Sequence, residues 1–139
     1  TEQYTLNGVS YGNTMNKTFT SNGEVYQRVM RIAAGVRGDV WTDIINFGAV
    51  DDAGQADITN YKYFRVTNLD DTNYLELRVT GTADSFFVKV KAGESFLLMD
   101  NEIDAVASGT AIGTLTDITQ IGANANTAAI DIEFVVVTA

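Results

Sequence analysis

Between Tyr61 and Asp100 the chain reads YKYFRVTNLDDTNYLELRVTGTADSFFVKVKAGESFLLMD, four short runs rich in Val, Leu, Phe and Tyr separated by turn-forming residues. The turns fall at Asn68-Leu69-Asp70-Asp71-Thr72-Asn73, at Gly81-Thr82-Ala83-Asp84 and at Ala92-Gly93. Such runs have the composition of a half-buried pleated surface, so they read as strands. The rest of the chain is expected to lay further strands beside or across this block.

The first two runs suggest a hairpin with a definite register. With the turn centred between Asp70 and Asp71, Phe64 faces Leu77 and Val66 faces Leu75, which gives one apolar face. The other face pairs Arg65 with Glu76, Tyr63 with Arg78 and Thr67 with Tyr74. A slip of one residue would turn each apolar set the wrong way, which fixes the register. Tyr63, Arg65, Tyr74, Glu76 and Arg78 then form one outward face, and Tyr and Arg are the residues that protein interfaces favour. These five are the candidate interface. In the next two runs Phe86, Val88 and Val90 alternate with Phe87, Lys89 and Lys91, so one phenylalanine is expected to leave the core. A two-residue turn there would join a second hairpin and bring Lys91 to Glu94.

Elsewhere the signals are shorter. Thr1 to Thr14 alternates weakly and reads as an edge strand or an arm reaching a neighbour. Asn22-Gly23 is a strong hairpin signal, joining Asn16–Thr20 to Glu24–Ala33. The latter could be a helix, with Tyr26, Val29, Met30 and Ala33 on one stripe. A strand, with Tyr26, Arg28, Met30 and Ile32 on one face, agrees better with the Asn-Gly before it and Gly35 after it. Asp39 to Phe47 has no clean face, which suggests a central strand or a bulge. Residues 48–60 read as a polar connection. A short helical turn is expected at Glu102 to Ala107, a strand at Leu115 to Ile121, a loop at Gly122 to Thr127 and a strand at Ala129 to Thr138. Strands spaced in this way, without a βαβ rhythm, predict an all-β antiparallel sandwich, jelly-roll-like, forming a single domain over residues 1–139.

Composition narrows the chemistry. The chain has no cysteine and no histidine, which removes disulfides, thiolate and imidazole metal sites, and Ser-His-Asp or Cys-His catalysis. Its formal net charge is -9, and a surface that acidic repels phosphate backbones, so nucleic acid is not an expected partner. No apolar run is long enough for a membrane helix, and the opening TEQYTLNG lacks the features of a secretory signal. Thr1 is compatible with removal of an initiator methionine, so a cytoplasmic product is the expectation.

Three acidic groups invite a calcium reading: Asp51, Asp52 and Asp57; Asp70 and Asp71; and Asp100, Glu102 and Asp104. None has the frame of an EF-hand, and turn-forming aspartate accounts for them more simply. Paired carboxylates suit glycosidases, but in so acidic a chain pairs arise by chance. The glycines make no phosphate-binding fingerprint. No catalytic, cofactor-binding or metal site is expected, and the protein is not expected to be an enzyme.

KYFRVTNLDDTNYLELRV, the following FFVKVKAGESFLLM and the closing DIEFVVV resemble small β-sandwich structural proteins of tailed bacteriophages, in particular marine and cyanobacterial phages. The resemblance implies a virion protein, a capsid decoration or cement protein that bridges neighbouring major capsid subunits, commonly as a homotrimer. It assigns no individual residue a role. The alternative is a carbohydrate-binding β-sandwich module on a tail or fibre.

Overall fold

A computed structural model describes residues 2–14, 16, 18, 23–35, 41–46, 61–82, 85–100, 102–103 and 114–138. Among them lie the strands β1 (Glu2–Leu6), β2 (Val9–Asn13), β3 (Val25–Ile32), β4 (Thr42–Asn46), β5 (Tyr61–Asn68) and β6 (Leu75–Gly81). These are followed by β7 (Ser85–Val90), β8 (Ser95–Leu98), β9 (Glu102–Ile103), β10 (Thr116–Ala125) and β11 (Ile130–Thr138). No helix occurs among the described residues. The expected all-β sandwich is the architecture found.

One sheet runs β3-β11-β5-β8 and the other β4-β10-β6-β7, with β9 beside β10. All of these pairings are antiparallel. The alternation read in β11 explains its central place. Ile130, Ile132, Phe134 and Val136 are buried against the other sheet, while Asp131, Glu133 and Val135 face outward beside β3 and β5. Both sheets contribute to one apolar core, which includes Ile32, Phe64, Val66, Leu75, Leu77, Val79, Ile118 and Ile121.

The structure corrects both hairpins expected within residues 61–100. β5 does not pair with β6, and β7 does not pair with β8. Instead β5 pairs with β8 and β6 with β7, so the chain crosses from one sheet to the other after Asn68 and again after Val90. The physical reason is the apolar face itself. Two strands side by side would still need a second layer over Phe64, Val66, Leu75 and Leu77; placed in opposite sheets, they supply that layer to each other. All four are fully buried. The in-out parity is therefore right although the partners are wrong, because the period of two belongs to each strand separately. At the second crossing Lys91 and Glu94 do meet, at 3.9 Å, across a turn in which Gly93 has φ 71°.

Other expectations divide in the same way. Residues 25–32 form a strand, with Ile32 buried and Tyr26 and Met30 packed against the core. The bulge that Asp39–Phe47 suggested lies on β4: Ile121 pairs with Ile45 and Gly122 with Asp43. That leaves Ile44 as the extra residue and buries both isoleucines. Among the described residues β4 is an edge strand of its sheet, not a central one. Gly122 to Ala125, expected as loop, instead continues β10, fully inside the sheet. Its small side chains lower strand propensity, but Gly122 is what lets Trp41 lie over β10 (below). Glu102 and Ile103 form β9 rather than a helical turn; residues 104–107 lie outside the described residues. So do the connection 48–60, Asp39, Val40, Phe47, and most of the Asn16–Asn22 segment to which the Asn22-Gly23 hairpin signal belongs.

The N-terminal segment is not an edge strand of either main sheet. β1 and β2 pair with each other as a separate two-stranded sheet, with Leu6 opposite Val9. Asn7 and Gly8 connect them with φ values of 51° and 77°. Two positive φ angles in a two-residue loop make a type I′ turn, and Asn-Gly is the pair that tolerates it best. The signal that marks residues 22–23 is equally present at residues 7–8, and reading the segment as a single strand passes over it.

Candidate binding site

The five residues read as one interface face lie on two opposite faces. Tyr63 and Arg65 are on the outer side of β5, where Arg65 sits beside Val135 of β11 and Leu97 of β8. Tyr74, Glu76 and Arg78 are on the outer side of the other sheet, where Glu76 lies opposite Lys89 and Arg78 opposite Phe87. The sandwich core separates the two groups, because β5 and β6 are not neighbours in a sheet.

The second group lines a groove of about 610 Å³ together with Trp41, Phe87, Val88 and Lys89. Its floor follows from one row of the register: Asp43, Gly122, Arg78 and Phe87 lie side by side across β4, β10, β6 and β7. Gly122 is the thin point of that row. A β-carbon there would stand 3.3 Å from Cβ of Trp41, so glycine lets the indole lie over the sheet. The rings of Trp41 and Phe87 are 5.6 Å apart, tilted at 44°. Phe87 nevertheless remains 64% exposed, and it is the phenylalanine that leaves the core.

Two cations are held on the rings. The Arg78 guanidinium carbon is 5.1 Å from the Trp41 ring centre, and Lys89 Nζ is 3.8 Å from that of Tyr74. Contacts of this kind contribute about 0.5–1 kcal/mol at exposed sites. Arg78 Nη2 donates to Gln120 Oε1 at 2.9 Å, and Gln120 Nε2 donates to Asp43 Oδ1 at 2.9 Å. The guanidinium is thus fixed from one side, while its buried Nε has no protein partner. On the opposite face Arg65 Nη2 reaches Glu133 at 3.4 Å, and its Nε is likewise unpartnered.

Sequence reasoning missed Trp41, Phe87, Lys89, Gln120 and Gly122 as parts of this groove. The adjacent Phe86-Phe87 pair was the available signal, since a strand cannot bury both on one side. Nothing local linked it to Trp41, which arrives from a segment far earlier in the chain.

The acidic groups resolve unequally. Asp70 is occupied by its own loop: its Oδ1 accepts from the backbone N–H of Thr72 at 2.8 Å and from Asn73 Nδ2 at 3.3 Å, as well as from the Asn73 backbone N–H. These donors, the Asn73 N–H first, hold the carboxyl below the usual carboxylate range. Asp71 accepts from the Thr72 hydroxyl at 2.9 Å, and Asp100 accepts from the Glu102 backbone N–H at 3.3 Å. Asp51, Asp52, Asp57 and Asp104 lie outside the described residues. Among the described residues no group of three or more acidic side chains is placed to hold a metal ion.

A lowered carboxyl pKa stabilises the fold above the unfolded-state value, and that contribution is lost as pH falls through the folded-state value. Thermal melts in acid should therefore fall more steeply for the native chain than for Asp70→Asn. The two curves should converge once both forms are uncharged; parallel curves through the acid range would rule out this role for the carboxylate.

No protein-family model, curated protein or solved structure matches this chain. No helix among the described residues is long and apolar enough to cross a membrane.

Proposed function

We propose that this chain is a non-catalytic structural protein of a virion, a capsid decoration protein that bridges neighbouring major capsid subunits. The observation that carries the reading is the outer face of the β3-β11-β5-β8 sheet. Val25, Val29 and Leu97 there are 61%, 67% and 51% exposed, in the same layer as Tyr63, Val135 and Val137. Val25, Val137 and Tyr63 make one unbroken apolar row, while Val29 lies opposite Glu133 and Leu97 opposite Arg65. The solvent face of an antiparallel sheet is ordinarily polar, and large apolar side chains left exposed across it suit a contact surface. The ion pairs Arg31–Asp131 and Arg65–Glu133, each at 3.4 Å, interrupt the layer with polar contacts that give a partner its register. The net charge of -9 keeps decorated particles apart. The capsid partner, the homotrimer and the place on the particle surface come from the phage resemblance.

The strand order supports an architecture suited to that role. β3 lies beside β11, β4 beside β10, β5 beside β8 and β6 beside β7, so the first half of the barrel-like winding pairs with the second half in reverse. We read this as a jelly roll, a form that capsid and lectin domains share.

Val29→Lys with Leu97→Asp places two charges on the exposed layer, each opposite a side chain of the other sign (Glu133 and Arg65), without touching the core. The double variant should fold with an unchanged melting temperature yet bind undecorated particles at least about tenfold more weakly, a loss of about 1.4 kcal/mol. Equal occupancy by the variant, measured by quantitative gel of pelleted particles, would remove this face from the interface. A handful of native copies per particle would instead place the protein on the tail.

A carbohydrate-binding module on a tail or fibre is the second reading. The groove of Trp41, Tyr74 and Phe87 favours it, because an open sheet face lined with rings is suited to stacking on sugars.

A further inference from the structure

We infer that the groove on the β4-β10-β6-β7 face is a saccharide subsite selective for a carboxylated sugar, a uronic acid unit of an acidic glycan. This rests on the second reading above and adds the class of ligand to it.

The rings supply the first part of the recognition. A pyranose presents an apolar C–H face, and Trp41 and Phe87, 5.6 Å apart and tilted, offer an amphipathic wall to receive it. Phe87 would otherwise stay 64% exposed at a position where the outer face of β7 calls for a polar residue. Gly122 contributes by leaving the space over which Trp41 lies.

Charge supplies the second. The whole chain carries -9, yet this groove is lined by two cations, Arg78 and Lys89, and one acid, Glu76. Asp43 in the floor row offsets one of these charges, so the groove is near neutral on an acidic protein. Its two cations are what an anionic ligand would meet, whereas a neutral sugar has no use for them.

The third part is the state of Arg78. Gln120 and Asp43 form a relay that fixes Nη2, and because Nε is buried beyond a ligand's reach, a carboxylate would meet the guanidinium at its Nη end. Guanidinium is the group whose planar fork fits a carboxylate, and a pre-positioned fork loses little freedom on binding. Arg78 therefore takes the uronate carboxylate, Lys89 adds its charge, and Glu76 accepts from a sugar hydroxyl.

Trp41 is the single tryptophan of the chain, so its emission reports on this groove alone. The native protein is titrated with short oligouronates of the galacturonate, glucuronate and mannuronate series, with their uncharged methyl esters, and with a short polyglutamate. At least one oligouronate should change Trp41 emission with a Kd about tenfold or more below that of its ester, and added salt should narrow the gap. Arg78→Gln should abolish the difference. Lys89→Gln, an exposed change that leaves the sheet intact, should reduce it in part, with melting curves of both variants confirming that they fold. If acid and ester bind alike, the carboxylate selectivity is wrong and the sugar reading survives. If neither changes the emission, both fail. If polyglutamate binds as tightly as the oligouronates, charge alone is being read and the saccharide inference is overturned.

Discussion

Phe64→Ala should lower the free energy of unfolding by about 3–5 kcal/mol, measured as a shift of the urea midpoint at unchanged slope. Phe64 is fully buried, with Val136 on one side in register and Leu98 on the other, and its ring points into the core that the two sheets share. Deleting it removes apolar contacts and leaves a cavity that neighbours in two rigid sheets cannot close. A domain is stable by only about 5–15 kcal/mol in total, so the variant should be close to the limit of folding at room temperature. Phe87→Ala is the control. That ring is 64% exposed, and its loss should stay within about 0.5 kcal/mol. Comparable losses for the two would mean that the inner and outer faces have been assigned the wrong way round.

That contrast marks what was legible in the sequence. The parity of β5, β6 and β11 could be read from alternation alone, because it depends only on which residues are apolar; Phe64, Val66, Leu75, Leu77 and the β11 series all fall on the buried side. Pairing was not legible. A loop such as Leu69 to Tyr74 is compatible with a return beside β5 or with a step into the facing sheet, and hydrophobic pattern is the same in both cases. The difference lies in which strands arrive later: β11 occupies the flank of β5, and β10 the flank of β6. Both come from the last quarter of the chain, so no local rule anticipates them. The loop assigned to Gly122–Thr127 holds only at Asn126 and Thr127, for a related reason. Gly, Ala and Asn are poor strand formers by propensity, but Trp41 lies over Gly122, which calls for thinness there, and the Ala33–Gly35 segment pairs alongside the strand's end through a parallel bridge between Ala34 and Ala125. Ala125 N–H donates to Ala33 C=O at 3.2 Å, and Gly35 N–H donates to Asn124 Oδ1 at 2.8 Å. The same long-range assembly hid the groove. Tyr74, Glu76 and Arg78 were recognised as surface residues, but their companions Trp41 and Phe87 could be added only once four strands lay in order.

Asn68→Ala should be the most damaging polar substitution, at about 3 kcal/mol or more, because the crossing from β5 to β6 is built on this side chain. Asn68 is fully buried. Its Nδ2 donates to the carbonyl of Asn73 at 2.8 Å and to that of Val90 at 3.3 Å, and its Oδ1 accepts from the backbone N–H of Asp70 at 3.0 Å. One amide therefore ties together the two crossings within residues 61–100. The main chain adds to it: Asn68 N–H donates to Glu94 C=O at 3.0 Å, and Gly93 N–H to Asn68 C=O at 3.1 Å. Alanine would leave two carbonyls and an N–H without their partners, each at a cost of about 1–3 kcal/mol if water cannot reach it. Asn68→Asp separates geometry from donation. The carboxylate keeps the acceptor for Asp70 N–H but presents no donor to the carbonyls of Asn73 and Val90, and it places a charge in the core. It should therefore be at least as destabilising as alanine at neutral pH and recover in acid, where the protonated side chain can donate again. If the urea midpoint of Asn68→Asp does not rise on acidification, relative to the native chain, the corner is held by the main-chain bonds alone.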